Sequence, residues 1–164
     1  MTNRAAVLFA VLGASAVLCG AQEDSLPAIY KSAPEWMATL AKNVQAHPDQ
    51  ADAPISNQAH YRVNIVRRAS PGFAMAHVEG GPAQGSELHY IIDGAATVVT
   101  GGKIVGPPGA GTKVAGPAKI EGGEVRRVTK GDVIFIPLGT PHWYKEVEGS
   151  VTYLEVRFDV PLGK

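Results

Sequence analysis

The chain has 164 residues, 45% of them hydrophobic and 18% charged, with 15 Lys and Arg against 15 Asp and Glu. That composition excludes a disordered chain or a coiled coil, and the balanced charge gives no footing for nucleic acid or acidic lipid. The length suits one domain with a sizeable core.

The N-terminus reads as a secretory signal over residues 1–21. Arg4 supplies the positive end, Ala5 to Leu18 is almost wholly apolar, and Cys19-Gly20-Ala21 suits cleavage after Ala21. A membrane anchor would need roughly 20 apolar residues, and this run is shorter. A lipoprotein attached through Cys19 would call for a small residue where Leu18 stands. The expectation is therefore a secreted or periplasmic protein, free of the membrane after cleavage. Cleavage also removes the single cysteine, which excludes a disulfide or thiolate site from the mature domain.

Residues 22–56 form an N-terminal segment. Ser32-Ala33-Pro34-Glu35 has the pattern of a capping box, and Trp36, Met37, Leu40, Ala41 and Val44 follow at helical spacing. The spacing predicts one amphipathic helix over about 34–45, with Trp36, Met37 and Leu40 on its buried face. His47-Pro48-Asp49 ends it, and Asp52 to Asn57 reads as a connector.

From residue 57 to 160 the signals are β, with a tail at 161–164. Tyr61, Val63 and Ile65 alternate with polar residues, and Phe73, Met75 and His77 alternate with Ala74, Ala76 and Val78. Further strands are expected at Leu88–Ile92, Ala95–Thr100, Val125–Val128, Val133–Ile136, His142–Val147 and Val151–Phe158. Turn signals such as Asp93-Gly94 and Glu148-Gly149 separate them. Short strands at this spacing indicate a sandwich or barrel, with Tyr61, Val63, Phe73, Met75, Leu154, Val156 and Phe158 as its core. The Gly- and Pro-rich residues 106–118 read as a surface loop. The Arg67-Arg68 and Arg126-Arg127 pairs fall in strands, where neighbours point to opposite faces, so neither makes a basic patch.

Five histidines are available. His47 reads as a helix-end residue and His60 as a surface residue. His77-Val78-Glu79 and Glu87-Leu88-His89 each place an imidazole and a carboxylate two residues apart, on one face of a strand. His142, Tyr144 and Glu146 share a face in the same way. His142 leaves a stiff corner made by Pro137, Gly139 and Pro141. The prolines fix φ and withdraw donors, and the glycine permits the reversal, so the corner sets the register that aims His142.

Gly131, Pro137, Gly139 and His142 stand at the spacing of the second conserved motif of the cupins, which this sequence resembles. Glu146 replaces the usual Asn. Glu87 and Gly94 match the second half of the first motif, whose His-x-His is absent; His77 is the nearest histidine upstream. The resemblance covers about residues 60–160. It implies an all-β double-stranded β-helix, a jelly-roll barrel, here with one short N-terminal helix. It also implies a divalent transition metal, Fe, Mn, Zn or Ni, held at Glu87 and His142 with His77 as a further match. His89 joins them by its spacing from Glu87, and Tyr144 would line the pocket. Imidazole and carboxylate without thiolate suit those ions. The expected partner is a small-molecule ligand or substrate, with a homodimer implied by the family and no nucleic acid. Three functions stay open: metal-assisted oxygenation or isomerisation of a small organic molecule, small-ligand binding without metal, or a structural, dimerising domain with a vestigial pocket. No residue stands out as a general base.

Overall fold

A computed structural model describes residues 27–58, 60–72, 85–106 and 118–158. The expected signal segment over residues 1–21, His77, Glu79, Phe73, Met75 and most of the 106–118 loop lie outside them. No helix among the described residues is long and apolar enough to cross a membrane.

The helix α1 spans Ala33–Ala46. The Glu35 carboxylate accepts from both the backbone N–H and the hydroxyl of Ser32, each at 2.7 Å. Those hydrogen bonds hold the Glu35 carboxyl below the usual range, as a capping box should. Leu40 is buried against Ala51, Ala53 and Ile65, with Trp36, Val44, Ile55, Ile92 and Leu154 around it. Met37, expected on this face, is 53% exposed. The helix therefore packs on the outside of the sheet.

Among the described residues eight strands follow: β1 (Gln50–Asn57), β2 (Tyr61–Arg68), β3 (Ser86–Thr100), β4 (Lys103–Val105), β5 (Lys119–Glu121), β6 (Glu124–Thr129), β7 (Val133–Ile136) and β8 (His142–Phe158). The main sheet runs β1-β2-β8-β3-β6, with β7 also paired to β3, and β4 pairs with β5 separately. Every pairing is antiparallel. Two long strands, β3 and β8, pair with each other along most of their length and carry the rest.

Four sequence expectations need correction. Asp52–Asn57 is no connector but the larger part of β1, which pairs with β2 through a register shift after Pro54. Asp93-Gly94 and Glu148-Gly149 do not separate strands. They lie within β3 and β8, where three register shifts bend the ladder instead. At Gly94 φ is +78°, and a Cβ would sit 1.9 Å from the Ser150 carbonyl oxygen. The two strands cross closely there because that residue has no side chain.

The third correction concerns which face is inside. In the last strand Val151, Tyr153 and Glu155 are buried, while Leu154, Val156 and Phe158 are only half-buried on the other face. Tyr61 is 43% exposed. The interior cluster joins Val66, Ile91, Ala96, Val98, Val128, Tyr144, Val151 and Tyr153. The fourth concerns Glu146. The shift between Thr97 and Val98 breaks the alternation after Tyr144, so His142 and Tyr144 share the inner face and Glu146 is exposed.

The expected corner is present. Thr140 N–H donates to Pro137 O at 3.0 Å and Gly101 N–H to Pro141 O at 2.8 Å. Gly139 has φ +81°, as the third residue of a type II turn requires. The Leu138 N–H donates to Ser86 Oγ at 3.1 Å, which fastens the corner to the start of β3.

Candidate metal centre

The start of β3 and the two ends of β8 meet inside the barrel. Glu87 and His89 point inward from β3, and His142 and Tyr144 from the beginning of β8. From its far end come Tyr153, Glu155 and Arg157. Cross-strand pairing puts Glu87 opposite Arg157, His89 opposite Glu155 and Ile91 opposite Tyr153. Apart from Ile91, these residues, with Arg68, Gly72 and Trp143, line a cavity of about 30 Å³. Glu87, His89 and His142 retain 1%, 2% and 5% of their exposure.

The Glu87 carboxylate is divided between two tasks. Oε1 lies 2.6 Å from Arg157 Nη2. Oε2 lies 2.8 Å from His89 Nε2 and 3.8 Å from His142 Nε2. Glu155 Oε2 stands 4.0 Å from His89 Nε2 and 3.5 Å from Arg157 Nη2. One donor atom from each of Glu87, His89 and Glu155 falls within 4.8 Å of the others. His142 adjoins that group beside Glu87. Donors on a single ion at 2.0–2.2 Å stand roughly 3–4 Å apart, so the Glu87, His89 and Glu155 atoms lie near that spacing, and their nitrogen and oxygen chemistry suits a transition metal.

The imidazoles are oriented from behind. His142 Nδ1 lies 3.1 Å from the Thr140 carbonyl oxygen, which can only accept. Nδ1 therefore carries the proton, and in the neutral ring Nε2 is the basic nitrogen facing Glu87. His89 Nδ1 lies 3.1 Å from the Tyr144 hydroxyl, a group that can donate or accept. Without a cation, the 2.8 Å contact of His89 Nε2 with a carboxylate oxygen needs a proton between them. With a cation beside Glu87, the proton can move to Nδ1 and donate to Tyr144. Tyr144 thus supports either tautomer.

A second layer holds these groups. The Tyr144 and Tyr153 rings stack with centroids 5.1 Å apart, and Tyr153 lies 4.6 Å from the His89 ring. Arg68 Nε donates to the Tyr153 oxygen at 3.0 Å, and its guanidinium sits 5.5 Å from the centre of the Tyr144 ring. Burial pushes the Tyr153 hydroxyl up to about 12, with Arg68 opposing, and raises Tyr144 as well. Both phenols are neutral at ordinary pH. Gly72 ties the next loop to β8, donating to Tyr144 O at 2.9 Å and accepting from Trp143 Nε1 at 2.8 Å.

The sequence reading placed Glu87, His89, His142 and Tyr144 together, and the structure brings all four into one cavity. It missed Glu155, Arg157 and Arg68. The alternation in sequence puts Leu154, Val156 and Phe158 on the inward face, which hides Glu155 and Arg157. The available signal was Tyr153-x-Glu155-x-Arg157, three polar-tipped side chains at period two near the end of a long strand. Arg68 was hidden in an arginine pair. Arg67 turns out to the Pro48 carbonyl, and Arg68 turns in.

No family model and no curated protein matches the chain. Solved structures do, at the level of fold. The protein TT1209 from Thermus thermophilus is 14% identical with a TM-score of 0.53, over 82% of this chain and 100% of that one. A cupin superfamily protein from Desulfitobacterium hafniense is 11% identical with a TM-score of 0.46, over 68% and 78%. HppE, solved with cobalt(II) and its substrate, is 14% identical with a TM-score of 0.48, over 68% and 53%. With the Pro137–Pro141 corner at the entry to β8, the antiparallel sheets and single helix agree with the all-β jelly roll expected from the sequence.

Proposed function

We propose that this is a metal-dependent small cupin whose ligands are Glu87, His89 and His142, with Glu155 completing the set. The supporting observation is the meeting of two imidazole nitrogens and one carboxylate oxygen from two different strands, at 2.8 and 3.8 Å. His77, the fourth ligand expected from the sequence, lies outside the described residues. The ion is one of Fe, Mn, Zn or Ni, since the donors are nitrogen and oxygen without sulfur. When bound, it would supply Lewis acidity and a template for oxygenation or isomerisation of a small organic molecule. The chain's own contribution is orientation. Arg157 fixes Glu87, the Thr140 carbonyl fixes the His142 tautomer, Tyr144 fixes the His89 ring, and the buried tyrosine pair keeps bulk water away. The protein acts after export, as the N-terminal segment suggests, and a homodimer suits the fold.

The second reading is a ligand-binding cupin without metal. The contact of Arg157 with Glu87 favours it, because an arginine, a carboxylate and a histidine can satisfy one another inside a barrel. Metal analysis of the purified protein after reloading decides between the two. About one equivalent of bound ion, lost in His142→Ala and Glu87→Gln, supports the metal reading. No retained transition metal, or full retention in both variants, contradicts it.

A further inference from the structure

The lining of the pocket carries more positive charge than a cation site needs. Among the described residues it holds two carboxylates, Glu87 and Glu155, and two guanidinium groups, Arg68 and Arg157. With neutral imidazoles these cancel. A divalent ion would leave two positive charges in a cavity from which solvent is largely excluded, where charge is poorly screened. The balance is restored by an anion.

The hydrogen-bond inventory agrees. Arg157 directs Nη2 to Glu87 and Glu155. Its Nε is buried and finds no hydrogen-bond partner among the described residues, a costly state for a charged donor. Arg68 enters from β2, anchored by Tyr153 at Nε and by Gln50 at Nη1. The cavity of about 30 Å³ has room for roughly two waters. That admits a carboxylate head.

We propose that the pocket takes a small organic acid by its carboxylate, with Arg157 Nε–H and the Arg68 guanidinium as the recognition groups. The inference rests on the metal reading and gives its substrate class. Arg157 then has two roles, holding Glu87 with Nη2 and presenting Nε to the ligand.

The test is a titration of the zinc-loaded full chain with acetate, and with acetamide as its neutral counterpart, followed by the indole N–H resonances. Trp143 lines the pocket and reports binding; Trp36 lies on the helix and is the internal control. Acetate should shift Trp143 saturably and leave Trp36 unmoved, and acetamide should do neither. With zinc kept at saturation, Arg157→Lys, which retains the charge and removes Nε–H, should weaken acetate at least about tenfold. Arg68→Gln should weaken it similarly and serves if Arg157→Lys fails to fold. Equal responses to acetate and acetamide overturn the proposal, as does wild-type acetate affinity in both variants. Zinc uptake without acetate binding overturns the acid subsite alone. Failure to take up zinc overturns the metal reading and, with it, the source of the excess charge.

Discussion

Each ligand side chain in this pocket has a second residue that decides which atom it presents. Thr140 O takes the Nδ1 proton of His142, Tyr144 meets Nδ1 of His89, and Arg157 takes one oxygen of Glu87. Tyr144→Phe keeps the ring stack and removes the hydroxyl. It should weaken metal binding by about 10–100-fold with little change in fold, read by competition against a chromophoric chelator. Unchanged affinity would mean that Tyr144 only packs. Legibility at this scale followed the motifs. Glu87 and His89 shared a strand face by spacing, and the motif resemblance joined His142 to them. Arg157 and Glu155 did not, because a charged residue in a strand is ordinarily outside. Here their partners across the ladder make the inside tolerable.

At the scale of elements, the expected strands were mostly in the right places, but two expected pairs prove to be the single strands β3 and β8, and β1, β4 and β5 were not expected. Gly94 and Gly149 look like turn residues in sequence. In the structure they bend continuous strands, because β3 and β8 must curve to close around the pocket. Gly94→Ala tests this. Its φ of +78° and the 1.9 Å approach to Ser150 O leave no room for a methyl group, so the variant should lose about 3 kcal/mol or more in urea unfolding. A loss below about 1 kcal/mol would show that the crossing is loose. The helix gives a second case. Leu40 is the buried residue that joins it to Ala51, Ala53 and Ile65, so Leu40→Ala should cost about 2–4 kcal/mol. Met37→Ala, at an exposed position, should cost little. Periodicity alone could not separate Met37 from Leu40, since the edge of an apolar stripe is settled by the sheet beneath it.

For the whole molecule, the barrel interior sets how stability responds to pH. Tyr153 titrates at about 12 in the fold against 10.0 ordinarily, through burial. The folded chain therefore holds this proton more tightly than the unfolded one. The stabilisation is fully present below pH 10 and is lost as pH rises towards 12, on the order of 2–3 kcal/mol. Tyr144, raised by the same burial, acts in the same direction. Tyr153→Phe should flatten the decline between pH 10 and 12 in denaturant midpoints; an unchanged slope would place the alkaline sensitivity elsewhere. Fold class was readable because the second motif fixes a corner whose geometry has few alternatives. The inward face was not, since both faces of β8 are apolar enough and one of them lies under α1.

The central claim is that one ion sits among Glu87, His89 and His142. Anomalous diffraction from crystals of the protein grown with manganese or zinc tests it directly. The expected result is a single buried peak within about 2.0–2.3 Å of His89 Nε2, His142 Nε2 and a Glu87 oxygen, with Arg157 still on the other carboxylate oxygen. A well-ordered pocket with no peak, the Glu87–His89 hydrogen bond intact at saturating metal, would contradict it.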